Sequence, residues 1–124
     1  MANKLILLVE DDEGIRDVLK LALEMKNYTV ATASNGQEAL DLLKSSALPN
    51  LILLDLMMPL MDGWTFAEIT GQTAELRAIP IIIVSAYVNQ VRHPKEYALA
   101  RAAANLVKPP TLKKLLQTVK ECMG

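Results

Sequence analysis

Side chains capable of chemistry follow four short apolar runs of the sequence. They comprise carboxylates, a hydroxyl and an ammonium: Glu10, Asp11, Asp12, Asp55, Ser85 and Lys108. An Asp carboxylate can attack phosphorus to form an aspartyl phosphate, and a cation, a lysine and a hydroxyl can stabilise the charge on the phosphoryl oxygens. Clustered carboxylates repel one another, and a divalent cation such as Mg2+, which prefers oxygen ligands, removes that repulsion. The set therefore predicts phosphoryl transfer to Asp55, with Mg2+, Lys108 and Ser85 around it.

Each of these residues, taken alone, has an ordinary structural explanation. Acids before a helix usually cap its N-terminus, which is what we expect of Asp12 and also of Asp62. Asp55 could begin a turn, Ser85 could end its strand, and Lys108 could be a solvated lysine before a proline. The chemical interpretation depends on all of them occurring at the ends of apolar runs.

Five apolar runs alternate with helical patterns along the chain. Strands are predicted at residues 4–9, 28–33, 51–55, 81–85 and 106–107. Helices are predicted at residues 13–26, 37–44, 63–73, 94–103 and 111–121, the first of them with Val18 on its buried face. This alternation predicts an α/β fold with a parallel sheet and helices on both faces. A ligand site then forms outside the carboxyl ends of the strands, where the reactive residues fall.

Composition narrows the class of protein further. The 124 residues are 52% hydrophobic and only 4% aromatic, which predicts one domain with an aliphatic core. A formal charge of −1 argues against direct binding to nucleic acid or to an anionic membrane. No apolar stretch approaches the roughly 20 residues that span a bilayer, and Cys122 has no cysteine with which to pair. We therefore expect a cytoplasmic protein; the single histidine, His93, makes a zinc site improbable.

Four segments resemble the receiver domain of two-component response regulators, and in particular chemotaxis receivers. They are LLVEDD, LLDLMMPLMDG, IIIVSA and LVKPP, in this order, so the similarity extends over essentially the whole chain. The resemblance implies a single receiver domain at residues 1–124. It also implies a flavodoxin-like fold, with a five-stranded parallel sheet in the order 2-1-3-4-5 and five helices on both faces.

The resemblance also assigns the metal ligands. Asp55 looks like the phosphoacceptor, and Glu10 with Asp11 looks like the acidic pair that holds Mg2+ or Mn2+. Arg16 follows Glu10 at the interval at which the family often carries an arginine, which supports this pair over the next two acids. The backbone carbonyl of Met57 would face the same metal.

At the phosphoryl group, the resemblance places Ser85 and Lys108 against its oxygens. One departure from the family is Asn105, which stands where family members often carry an aromatic residue that moves inward on activation. We therefore expect any signalling change to pass through residues 86–105.

The implied function is a phosphoacceptor signalling domain of a two-component system or phosphorelay. A histidine kinase or histidine phosphotransfer protein would supply the phosphoryl group, and a downstream protein would bind the phosphorylated form. The resemblance is also compatible with a dimer formed through the fourth helix, fifth strand and fifth helix. Its chemistry would be limited to phosphorylation and dephosphorylation of its own Asp55, so it would not be an enzyme. Two alternatives stay open: a pseudo-receiver scaffold without phosphorylation, and an Asp-dependent phosphatase, which would need a second acid where Met57 stands.

Overall fold

The structure is a computed structural model that describes residues 4–45, 47–56, 58, 60–85, 102–108 and 110–123, with only the backbone of Ser85. The strands are β1 Leu5–Val9, β2 Thr29–Ala33, β3 Leu51–Leu54, β4 Ile81–Ser85 and β5 Ala104–Val107. The helices are α1 Glu13–Glu24, α2 Gly36–Ser45, α3 Gly63–Thr70, α4 Ala74–Arg77 and α5 Leu112–Met123. The predicted helix at 94–103, the loop at 86–93 and His93 lie outside the described residues.

The strands form one parallel sheet in the order β2-β1-β3-β4-β5, which confirms the predicted fold class. The register pairs Val9 with Leu54, the last residues of β1 and β3. It also pairs Ser85 with Val107, the last residues of β4 and β5. The strands therefore end together, and the residues that follow them lie at one edge of the sheet.

Helices cover the sheet on both faces because side chains alternate along each buried strand. Leu7 and Leu54 lie in a core cluster with residues of α2 and α3, including the fully buried Phe66. Ile6 and Leu53 lie in the opposite cluster, with residues of α1 and α5. This arrangement explains why the central strands read as continuous apolar runs instead of alternating ones.

Several details differ from the sequence prediction. β5 begins at Ala104, two residues before its predicted start, and α1 ends at Glu24, two residues before its predicted end. The predicted helix at 63–73 ends at Thr70, after which Thr73 accepts a hydrogen bond from the Leu76 N–H and begins the short helix α4. Val18, predicted on the buried face of α1, is 56% exposed. The helix buries Leu19 and Leu23, and Val18 is turned about 100° away from Leu19.

Among the helices that the structure describes, none combines the length and apolar character that crossing a bilayer requires.

Candidate functional site

Three carboxylates meet at the carboxyl edge of the sheet. Glu10 directly follows β1 and Asp55 directly follows β3, and the two residues are only 2% and 5% exposed, whereas Asp11 is exposed. One carboxylate oxygen from each of Glu10, Asp11 and Asp55 lies within 4.8 Å of the other two. Hard oxygen donors this close together fit a divalent cation such as Mg2+.

Lys108, which directly follows β5, points into the same cluster. Its Nζ lies 2.7 Å from Glu10 Oε1 and 3.3 Å from Asp55 Oδ2, and its side chain is 17% exposed. One ammonium therefore contacts two buried carboxylates that come from different strands.

Backbone contacts fix the orientation of Glu10. Its second carboxylate oxygen accepts a hydrogen bond from the Asp12 N–H at 3.1 Å, and its carbonyl accepts one from Arg16 Nη1 at 2.9 Å. Asp12 also caps α1, as predicted, because its Oδ1 accepts a hydrogen bond from the Ile15 N–H at 2.9 Å. In the sequence, Arg16 served only to distinguish between two possible acidic pairs. In the structure it also holds the backbone of Glu10 through the hydrogen bond from its Nη1.

Burial and charge shift the protonation of this cluster. Burial raises the pKa of Glu10 from 4.5 to about 7, although the hydrogen bonds from Lys108 and from the Asp12 N–H oppose the change. Burial lowers the pKa of Lys108, but its hydrogen bond to Glu10 and the charge of Asp55 outweigh that effect and leave the pKa above its ordinary 10.5. Lys108 is therefore a cation at neutral pH, whereas the pKa of Glu10 lies close to neutral pH.

Gly63, at the start of α3, packs tightly against the backbone of Asp55, the phosphoacceptor candidate. The Gly63 N–H donates to the Leu56 carbonyl at 2.9 Å, and a Cβ on Gly63 would lie only 2.4 Å from the Asp55 carbonyl oxygen. Asp62 Oδ1 accepts a hydrogen bond from the Thr65 N–H at 2.8 Å, which confirms Asp62 as the cap of α3. Sequence reasoning recognised this Asp-Gly turn but missed the contact between the glycine and Asp55.

Two of the predicted site residues are less fully described. Ser85 ends β4 opposite Val107, one residue before Lys108, so its backbone belongs to the same edge, but its side chain lies outside the described residues. Met57 also lies outside them. Asn105, the departure from the family pattern, is exposed on β5.

The fold and this acidic edge agree with what comparison of the sequence shows. Residues 6–120 match the family model of the response regulator receiver domain, so the chain belongs to that family. The resemblance seen in the sequence motifs is thereby confirmed. Domains of this family belong to two-component signalling, interact with histidine kinases, bind Mg2+ at an acidic pocket and are generally non-catalytic.

Among curated relatives, the chain is similar to the transcriptional regulatory protein AfsQ1 of Streptomyces coelicolor, with 41% identity over 81 residues. That match covers 65% of this chain and 34% of AfsQ1, so the chain spans about a third of the length of this regulator. An uncharacterized 14.6 kDa protein of Leptolyngbya boryana is 36% identical over 126 residues, a match that covers 98% of this chain and 91% of that protein.

Two solved structures share the whole fold. A CheY-like receiver domain protein from Methanospirillum hungatei aligns with a TM-score of 0.85 at 29% identity, covering 98% of this chain and 94% of its own. The response regulator TrrA from Thermotoga maritima was solved in complex with Mg2+–BeF. It aligns with a TM-score of 0.82 at 32% identity, and the match covers 96% of this chain and 98% of the TrrA chain.

Proposed function

We propose that this chain is one receiver domain whose Asp55 accepts a phosphoryl group from a phosphohistidine of a histidine kinase or phosphotransfer protein. The observation that carries the proposal is the position of Asp55. Its carboxylate is 5% exposed, lies within a cluster of three acids, and is 3.3 Å from the ammonium of Lys108. The Mg2+–BeF bound by the similar TrrA supports an acidic site of this type. Because the chain would have to meet this donor, we also propose that it lies in the cytoplasm.

In the proposed transfer, a carboxylate oxygen of Asp55 forms a bond to phosphorus while the phosphorus–nitrogen bond of the donor histidine breaks. The electron pair of the broken bond stays on the imidazole nitrogen, which takes a proton from water. Lys108, which already contacts Asp55, then pairs with the phosphoryl oxygens. We assign Ser85 to the same oxygens.

The acids around Asp55 complete the proposed site. Glu10 and Asp11, together with Asp55 and the Met57 carbonyl, would hold Mg2+ or Mn2+. When bound, this cation neutralises charge on the transferring phosphoryl group. Lys108 alone could not do so, because its single charge is already shared between Glu10 and Asp55.

Acetyl phosphate provides a test that needs no protein partner. We expect the intact mass of the chain to increase by one phosphoryl group in the presence of Mg2+, and to stay unchanged in EDTA or in Asp55→Asn. Asp62→Asn is the matched control, because it makes the same chemical change in the same loop and Asn still caps a helix.

Two outcomes of this experiment would overturn the proposal. An unmodified wild-type chain would favour a pseudo-receiver scaffold, and labelling that survives Asp55→Asn would place the phosphoacceptor elsewhere. Sustained hydrolysis of a phosphomonoester such as p-nitrophenyl phosphate would instead favour the phosphatase alternative.

A further inference from the structure

Leu60 has a backbone conformation that is unusual for its residue type. Its φ is +66°, in the left-handed region, which asparagine, aspartate and glycine adopt readily but an aliphatic side chain seldom does. The other positive-φ residue of this kind among the described residues is Asn27, after α1, where an amide side chain is expected. Leu60 therefore needs an explanation that Asn27 does not.

No packing inside the described part of the protein offsets this strain. Leu60 is 88% exposed, more than any other large hydrophobic residue that the structure describes. Its neighbours Met58 and Met61 behave differently, because both pack against the core cluster beneath the loop. Met58 and Met61 therefore hold the loop against the core, while the Leu60 side chain is exposed to solvent. Strained backbone conformations of this kind cluster at functional positions.

The position of Leu60 relative to Asp55 is restricted. The loop is closed by the hydrogen bond from the Gly63 N–H to the Leu56 carbonyl and is tied to α2 by one from the Gly36 N–H to the Met61 carbonyl. Leu60 precedes Gly63 by three residues, a span of at most about 11 Å. Gly63 itself abuts the Asp55 carbonyl.

A protein that phosphorylates Asp55 must cover this region. Because Asp55 is only 5% exposed, a donor imidazole has to approach closely over the site. A specific protein interface buries about 800 Å² on each partner, equivalent to a disc with a radius of about 16 Å. An interface of that size centred on Asp55 therefore reaches far enough to include Leu60.

We infer that Leu60 is a contact residue for the phosphohistidine-bearing donor protein and helps to determine which donor the chain accepts. This inference rests on the proposed function. The part of the donor that contacts Leu60 is an apolar surface beside the phosphohistidine, which would bury the leucine side chain. The left-handed backbone holds that side chain outward before the donor arrives.

Leu60→Asn tests the inference, because asparagine suits the backbone and removes the apolar surface. The protein donor is an autophosphorylated histidine kinase core, chosen from a panel as the one that phosphorylates the wild-type chain fastest. We expect kcat/KM for this transfer to fall about tenfold, the acetyl phosphate rate to change less than twofold, and the melting temperature to stay level or rise. Leu48→Asn is the matched control, since Leu48 is exposed before β3, at the opposite edge of the sheet.

The results separate this inference from the proposed function. Equal kinase transfer to Leu60→Asn and to wild type, or an equal loss in Leu48→Asn, would overturn the role of Leu60. Acetyl phosphate labelling without transfer from any kinase in the panel would also overturn it. If acetyl phosphate fails to label the wild-type chain, the proposed function fails first.

Discussion

Replacing Gly63 with alanine tests whether the first residue of α3 sets the position of Asp55, the proposed phosphoacceptor. A Cβ at this position would lie 2.4 Å from the Asp55 carbonyl oxygen and 2.8 Å from the Leu56 Cα. Both neighbours are backbone atoms, so no side-chain rotation can relieve the overlap. Ordinary van der Waals contact begins at 3.4 Å, so α3 and the end of β3 must separate by about 1 Å.

A displacement of this size has a predictable effect on rate and stability. Misplacing a reacting group by about 1 Å can reduce its rate by about 100-fold. Overpacking typically lowers the free energy of unfolding by about 1–3 kcal/mol. For Gly63→Ala we therefore expect labelling of Asp55 by acetyl phosphate to slow by about 30- to 100-fold. Fluorescence of Trp64, the only tryptophan in the sequence, which packs against the core, can follow unfolding of the same samples and so measure the loss of stability.

Gly36→Ala is the matched control for this experiment. Its Cβ would lie 2.8 Å from the Met61 carbonyl oxygen and 2.9 Å from the movable Met61 Cγ, so the loop is also crowded, but six residues after Asp55. We expect a similar loss of stability with a rate within about threefold of wild type. If the two variants lose activity equally, or if Gly63→Ala keeps the wild-type rate, the reasoning from Gly63 to Asp55 is refuted.

Three further predictions concern charge and capping. Lys108→Met should slow phosphorylation yet tighten Mg2+ binding at least about threefold, because it removes a cation that contacts Glu10 and Asp55; weaker Mg2+ binding in a titration would contradict this. Because burial raises the pKa of Glu10 from 4.5 to about 7, the folded chain holds that proton more tightly than the unfolded chain, and stability in EDTA should fall as pH rises from about 4.5 to about 7. Melting curves should show this fall in wild type and a smaller one in Glu10→Gln. Asp62→Ala should lose about 1 kcal/mol of stability in urea unfolding, whereas Asp62→Asn should not.

Most of the fold follows from the sequence because the central strands are buried on both faces. A run such as LILL between charges or turn residues has few other structures available in an α/β chain, and β3 is indeed buried along its whole length. Sequence periodicity was less successful where a helix boundary or face depended on local detail. The end of α3 depends on Gly71 and Thr73. The exposure of Val18 shows that periodicity predicts the centre of a buried helix face better than its edge.

The candidate site was predictable to the extent that it depends on strand ends. Once Val9 and Leu54 are in register, Glu10 and Asp55 must follow side by side. The contact of Gly63 with Asp55 was not predictable, because it is a distance between backbone atoms that no residue pattern encodes. Leu60 was not predictable either, since an apolar residue in sequence suggests burial and this one is 88% exposed.

The charge balance of the site explains why the proposed metal and Lys108 should be considered together. Two carboxylates that are almost fully buried share one ammonium, and a third carboxylate lies close by at the surface. Removing charges from water is costly unless they are paired, and a single cation cannot fully compensate two anions. Burial is the main cause of the raised pKa of Glu10, and the nearby charge of Asp55 adds to it. A bound divalent cation would correct the charge imbalance, and would leave Lys108 available to pair with a phosphoryl group instead of with the carboxylates alone.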